Sequence, residues 1–243
     1  KPLADGGEHI DGVPADGSPI ELDFSDSLGA ITGKLLPTGN VVDEITTGDG
    51  RTLEASVVDV GIPCVFVRAS DLGLSGIEKP SEIEGDSALM ERIEEIRGRL
   101  AAKIGLVGKW EDARSKSSYT PFISCVSPPS DYETFDGKSV KAGEVDIVSR
   151  LLFMQRMHKT HPVTGTVSMG AAARIPGSIA ERFLSERGHR EQKIIIGHPA
   201  GVIPVVSEME ASPGGYVLKN ASILRTARII MKGQVYLRYS RVN

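Results

Sequence analysis

His161–Gly177, HPVTGTVSMGAAARIPG, is the stretch on which the reading of the whole chain turns. Pro162 and a small polar run, Thr164-Gly165-Thr166, open it; Ser168, Gly170, Ala171, Ala172 and Ala173 follow, and Pro176-Gly177 close it. This pattern predicts a loop entering a helix, with Thr164 or Thr166 near the N-cap and the helix ending before Pro176. Side chains this small do not suit a surface helix. They suit a place where other backbone packs close, as on the axis of a fold. The first turn of such a helix presents N–H groups without intrahelical partners and the positive end of a dipole, a seat for a carboxylate or phosphate. The plainer alternative is a buried helix with a threonine cap.

Working outward, Val145–Met154 before this stretch fits a strand or a helix. Ile179–Ser185 after it fits a second short helix. Gln192–Ile196 and Val202–Val206 read as strands joined by a compact turn, Gly197-His198-Pro199-Ala200-Gly201. Tyr216–Leu218, Ser222–Met231 and Gln234–Tyr239 make a β-rich tail with a turn at Lys232-Gly233. Upstream, Lys1–Pro19 is rich in Gly, Asp and Pro and reads as an irregular linker. Ile20–Phe24, Asn40–Ile45, Arg51–Val60, Cys64–Ala69 and Tyr119–Val126 are strand candidates, with a corner at Gly61-Ile62-Pro63. From an Asp86 N-cap, Leu89, Ile93, Ile96, Leu100 and Ile104 fall on one helical stripe that Gly105 ends. Strands outnumber helices, so the fold class is α+β, or mixed α/β, with strands wrapped around or laid against helices.

The 243 residues carry a net charge of −4 and no basic block, which excludes a nucleic-acid binder held by phosphate contacts. No apolar run approaches the roughly 18–20 residues of a membrane span. Cys64 and Cys125 form no CxxC pair, so a reduced, cytoplasmic setting is expected. The chain opens at Lys1 without a signal-peptide pattern and is read as a fragment or a processed product.

The Walker phosphate loop, a GxGxxG after a strand, HExxH and GxSxG are all absent. His158 and His161 stand three apart, a spacing that can bind a metal, but no third ligand is suitably spaced and no metal is expected. Cys64 and Cys125 lie in apolar strands and read as buried thiols, not nucleophiles. In the 197–201 turn, two glycines would let the backbone approach a ligand, and His198 would donate to a carboxylate. A plain β-turn is the alternative there.

Four stretches together resemble the PrpF family: Thr32–Val41 (TGKLLPTGNV), Ala55–Leu74 (ASVVDVGIPCVFVRASDLGL), Thr164–Gly165 with Ala171–Pro176 (AAARIP), and Gly197–Gly201 (GHPAG). These are cofactor-independent isomerases of aconitate-like acids, related in fold to diaminopimelate epimerase. The resemblance implies two similar α/β halves, each a curled β-sheet wrapped around a central helix, with substrate in the cleft between them. Residues 20–243 would be the second, C-terminal half, and 1–19 the linker from a missing N-terminal half. His161–Gly177 becomes the central helix and Val145–Met154 a strand leading to it, while Gln234–Tyr239 returns toward the absent half.

The implied chemistry moves a C=C double bond in a small unsaturated di- or tricarboxylate of the methylaconitate, oxalomesaconate or methylitaconate type, without cofactor. The family's proposed acid/base pair, a lysine and a cysteine, belongs to the first half, so no catalytic residue is assigned here and the isolated chain is expected to be inactive. The substrate-binding candidates are Thr164, Gly165, Thr166, His198, Pro199, Ala200, Gly201 and the position of Ile62. Ile62 departs from the family, which favours asparagine there, and cannot hydrogen-bond a substrate. Thr164 falls where the related epimerases carry a second catalytic cysteine, and a threonine is a poor carbon base. The partners expected are a small polycarboxylate, the missing half and a second copy of the chain in a homo-oligomer, with no nucleic acid and no membrane. Besides a metal hydrolase through His158 and His161, two alternatives stand beside this reading. One is an epimerase or racemase of the same fold, which needs a reactive cysteine. The other is a binding or assembly protein with a decayed site, which Ile62 favours.

Overall fold

Val57, Val58, Val60, Cys64, Val65, Phe66 and Val67 are all fully buried, because the hairpin they form is covered on both faces. The computed structural model describes residues 6–213 and 215–236. Its strands are β1 (Ser18–Asp23), β2 (Asp43–Thr46), β3 (Thr52–Val60), β4 (Ile62–Arg68), β5 (Phe122–Ser127), β6 (Tyr132–Glu133), β7 (Ser139–Val140), β8 (Ile147–Phe153), β9 (Arg156–Met157), β10 (Lys193–His198), β11 (Gly201–Ser212) and β12 (Gly215–Ala227). Its helices are α1 (Pro80–Gly85), α2 (Ser87–Lys103), α3 (Ala113–Lys116), α4 (Val163–Ala172) and α5 (Glu186–Arg190). Among the described residues one large sheet runs β1-β12-β11-β10-β8-β5-β4-β3-β2, with β9 added to β8. It is mixed: β4–β5 and β8–β10 pair in parallel, and its other pairs are antiparallel.

Period-2 alternation sorts the hairpin residues between two cores. Val58, Val60, Cys64 and Phe66 face a core built around Val167, Met169, Ala171 and Ala172 of α4. Val57, Val65 and Val67 face the opposite way, onto Leu89, Ile93, Ile96 and Leu100 of α2. That α2 stripe and its cap match the sequence reading: Asp86 Oδ1 accepts from Leu89 N at 2.9 Å.

Helix α4 touches β3 and β4 near one end of the sheet and β11 and β12 near the other, so the sheet curls around it. The segment after β1 stitches the curl. Phe24 N donates to Ala221 O on β12 (2.7 Å), while Gly61 N donates to Ser27 O (2.9 Å) and Gly29 N to Asp59 O (2.7 Å). The mixed α/β, curled-sheet architecture is therefore as the sequence predicts, and small residues on α4 are what permit it. Ser168 Oγ reaches Val58 O at 3.1 Å, and Gly170 lies against Val205.

Four details differ from expectation. The N-cap of α4 is Pro162, not a threonine, and Thr164 and Thr166 lie inside the helix. The cause is tertiary: buried His161 pulls the chain inward and engages Thr166. Ile179–Ser185 is not one helix but a 3₁₀ turn at Glu181–Phe183, ended by extended Leu184 before α5. The strand expected over Ser222–Met231 stops at Ala227, opposite the first residue of β1, Ser18, where its partner runs out. Residues 228–236 form no regular element, so the Lys232-Gly233 hairpin is not made, and 237–239 of the last expected strand lie outside the described residues.

The ambiguous Val145–Met154 resolves as strand β8. From Gly6 the opening residues are irregular, as read, yet fastened to the sheet. Glu8 and Gly17 exchange backbone hydrogen bonds at 3.1 Å, and the Asp11 carboxylate accepts from Val202 N (2.8 Å) and Lys138 Nζ (2.7 Å).

Candidate functional site

A buried chain of hydroxyls and one imidazole fixes the entrance to α4. Thr166 Oγ1 donates its single proton to Pro162 O (2.9 Å), so toward His161 Nδ1 (2.8 Å) it can only accept. The imidazole proton therefore sits on Nδ1. Nε2 is left to accept from Ser149 Oγ (2.9 Å), which in turn accepts from Ser124 Oγ (2.8 Å). Burial, chiefly, holds His161 well below the usual histidine pKa, so the ring is neutral. With both ring nitrogens engaged, His161 cannot join His158 in a metal pair. Among the described residues no group of three or more His, Cys, Asp or Glu side chains is placed to hold a metal ion.

The first turn of α4 reaches the surface. Pro162, Val163 and Thr164 are half-buried, and no acceptor among the described residues takes the N–H groups of Val163, Thr164 or Gly165. Gly165 lets the helix approach the sheet: a Cβ there would lie 2.6 Å from Leu151 Cδ1 and 3.3 Å from Phe122 Cδ2. Gly165→Val is thus expected to lower stability by about 1–3 kcal/mol through overpacking, read as a shift in the urea midpoint with an unchanged m-value. Across from Thr164 stands the β3–β4 turn, where Gly61 adopts φ +73° and its missing Cβ would sit 3.5 Å from Thr164 Cγ2. Ile62 does not face this opening. Its side chain is buried in the α4 core, so what the turn presents beside Thr164 is Gly61.

The 197–201 turn is closed by the protein itself. His198 is fully buried, and its Nδ1 accepts from Ala200 N (3.2 Å), which leaves the proton of the neutral ring on Nε2. That Nε2 has no partner among the described residues. Pro199 O accepts from Phe135 N (3.0 Å), Gly201 O from the Tyr132 hydroxyl (2.6 Å), and Asp11 takes Val202 N. Gly12 fits between Thr160 and Ala200, where a Cβ would be 2.4 Å from Thr160 Cγ2 and 3.0 Å from Ala200 Cβ. The turn therefore meets the lead-in to α4 at Thr160, and its Pro199 and Gly201 carbonyls and the Ala200 and Val202 amides are already spent.

Residues 3–238 match the PrpF protein family. The chain belongs to that family. It is 45% identical over 234 residues to the 3-methylitaconate isomerase of Eubacterium barkeri, covering 96% of this chain and 60% of that protein. It is 33% identical over 230 residues to the 2-methyl-aconitate isomerase of Shewanella oneidensis, covering 93% of this chain and 57% of that protein. The crystal structure of methylitaconate-delta-isomerase superposes with a TM-score of 0.87 at 44% identity, over 98% of this chain and 62% of that one. The PrpF chain described here thus spans about 60% of the length of the relatives it matches. No helix among its described residues is long and apolar enough to cross a membrane.

Both cysteines of this PrpF chain are fully buried. Burial raises the Cys64 thiol well above its ordinary pKa and pushes Cys125 up to about 12, so neither is a ready thiolate. Residues that sequence reasoning passed over do stand at the opening. Tyr119, Phe122 and Phe153 form an aromatic row (ring centroids 5.3 and 5.4 Å apart), and His158 continues it at 5.5 Å from Phe153. Arg225, on β12, directs Nη2 at His161 O, 3.4 Å away. Only the fold brings positions 119, 158 and 225 together, and their spacing in the chain carries no signal.

Proposed function

We propose that this chain supplies the carboxylate-binding half of a cofactor-independent isomerase that shifts a C=C bond in a small unsaturated di- or tricarboxylate, of the methylitaconate, methylaconitate or oxalomesaconate type. The observation that carries this reading is the 45% identity, over nearly the whole chain, to a protein named 3-methylitaconate isomerase. The geometry agrees with it. A carbon acid activated by one neighbouring carboxylate is weak, and the charge that builds up on proton removal must meet fixed donors in a site shielded from water. The open amides of Val163, Thr164 and Gly165, at the positive end of α4, are such donors. In the reaction a proton leaves the carbon beside the alkene, the double bond moves over by one, and a proton returns two carbons away, so nothing else is consumed.

The proton-moving groups would lie in the part of the relatives that this chain does not cover. The apolar residues after β12 support such a complement: Ile230, Met231, Val235 and Tyr236 are each more than 80% exposed, a surface suited to cover by another body. Ile62 does not argue for a decayed site, because its burial in the α4 core is reason enough for an apolar side chain. An epimerase using a cysteine of this chain is disfavoured by the burial of Cys64 and Cys125.

Turnover of 3-methylitaconate and 2-methylaconitate, followed by ultraviolet absorbance of the conjugated alkene, tests the reading. The chain alone is expected to show none. One polypeptide that joins it to the remaining portion of its longer relatives is expected to turn over at least one of the two acids. Clear turnover by the chain alone would refute the half-site. No turnover of either acid by the completed protein would refute the isomerase.

A further inference from the structure

We infer that Arg225, with His158 beside it, is the side-chain pair that grips a substrate carboxylate at the mouth of α4; this rests on the reading just proposed. Arg225 follows Ile223 by two on β12, so it points to the inner face of the sheet on which Ile223 packs in the α4 core. It is half-buried, and no carboxylate among the described residues pairs with it. Among the described residues its one side-chain hydrogen bond is the long 3.4 Å contact from Nη2 to His161 O, immediately before the N-cap of α4. No other described residue bonds the rest of its planar fork, and such a fork matches a carboxylate with two parallel N–H···O bonds.

The surroundings are rich in donors and poor in acceptors. His158 Nδ1 accepts from Thr160 N (3.1 Å), so in the neutral ring the proton is on Nε2, which has no partner among the described residues. The ring is held against Phe153. Deeper in, the fully buried His198 carries a second Nε2–H with nothing to receive it. Buried donors are normally satisfied, so the His198 Nε2–H leaves room for an acceptor that the described residues do not provide, while the half-buried His158 Nε2–H is open to solvent or a ligand. His158 and His161 both lie near Arg225, while His198 lies near the Asp11 carboxylate as well as near His158. An arginine without a counter-ion among the described residues, the His158 N–H and the α4 amides together call for a small anionic ligand.

Calorimetric titration of the protein with tricarballylate, a saturated tricarboxylate that cannot isomerise, tests this. Wild-type protein is expected to bind it saturably. Arg225→Gln is expected to weaken binding about 10- to 100-fold, the effect of one charge-assisted bidentate pair. Arg225→Lys should fall in between, and His158→Gln should lose several-fold. Thermal midpoints without ligand check folding, and Arg225→Lys keeps the charge and stem if Arg225→Gln folds poorly. Unchanged affinity in both Arg225 variants would overturn this assignment and leave the isomerase reading standing. Intact dependence on Arg225 with no turnover by the completed protein would do the reverse. Failure of the wild-type protein to bind would sink both.

Discussion

Acidification from pH 7 to pH 4 is expected to remove about 3 kcal/mol of stability through His198 alone. Burial is the main cause of its low pKa, about 4 against an ordinary 6.5; the nearby Asp11 charge opposes the shift only in part. The sign follows from proton uptake. In the unfolded chain the imidazole takes a proton as pH falls below 6.5, whereas the folded protein holds it neutral until about pH 4. The stability is therefore whole above pH 6.5, declines through the window between, and levels off once the folded form also protonates. His161, lowered in the same direction and locked between Ser149 and Thr166, adds to the loss. Carboxylates titrate in the lower part of this range, so the measurement is a difference: urea midpoints of wild type and His198→Gln at half-unit steps from pH 7 to 4. The two curves are expected to converge toward pH 4. Parallel curves would mean that His198 is hydrated in solution.

Replacing Arg97 with methionine is expected to cost about 3–5 kcal/mol, because it leaves Glu94 charged, buried and alone. Both residues lie on α2 and are almost wholly buried. Arg97 Nε reaches Glu94 at 2.8 Å, and Nη1 caps the carbonyls of Ser117 (2.8 Å) and Thr120 (3.3 Å). The arginine thus ties the outer helix to the segment that carries Tyr119 into the aromatic row beside α4. Removing both charges together is a different perturbation. Arg97→Met/Glu94→Leu is expected to recover most of the loss, since apolar residues of similar volume replace a buried pair at little net cost. Denaturant unfolding of the two single variants and the double variant checks this. Additive losses would show that the pair is solvated and that its value lies in packing alone.

What was legible in the sequence was local and periodic. The Asp86 cap and the Leu89–Leu100 stripe fix α2, because side chains four apart on one face must meet whatever the sheet offers. The glycine–alanine seam of α4 announced a helix that other backbone crowds, and it lies on the axis of the curl. Its cap differs because a threonine N-cap is a local rule, while Pro162 is placed by His161, whose partner Ser149 on β8 is itself bonded to Ser124 on β5. The GHPAG turn looked ready for a ligand for a similar reason: glycines advertise open backbone, but Asp11, Tyr132 and Phe135, 64 to 191 residues away in sequence, had already taken it. Arg225 carried no signal, and His158 only the i, i+3 spacing to His161 that suggested a metal pair, since a lone arginine in a strand and a loop histidine gain their place only when β12 curls round to meet the start of α4.

The central claim is that the open amides of the axial helix seat an acid group. Titrating isotope-labelled protein with tricarballylate and following backbone amide resonances tests it most directly. Saturable shifts are expected at Val163, Thr164 and Gly165, with Ala200 and Val202 unmoved because their N–H groups already bond His198 and Asp11. Saturable shifts at 200–202 with the 163–165 amides silent would contradict it.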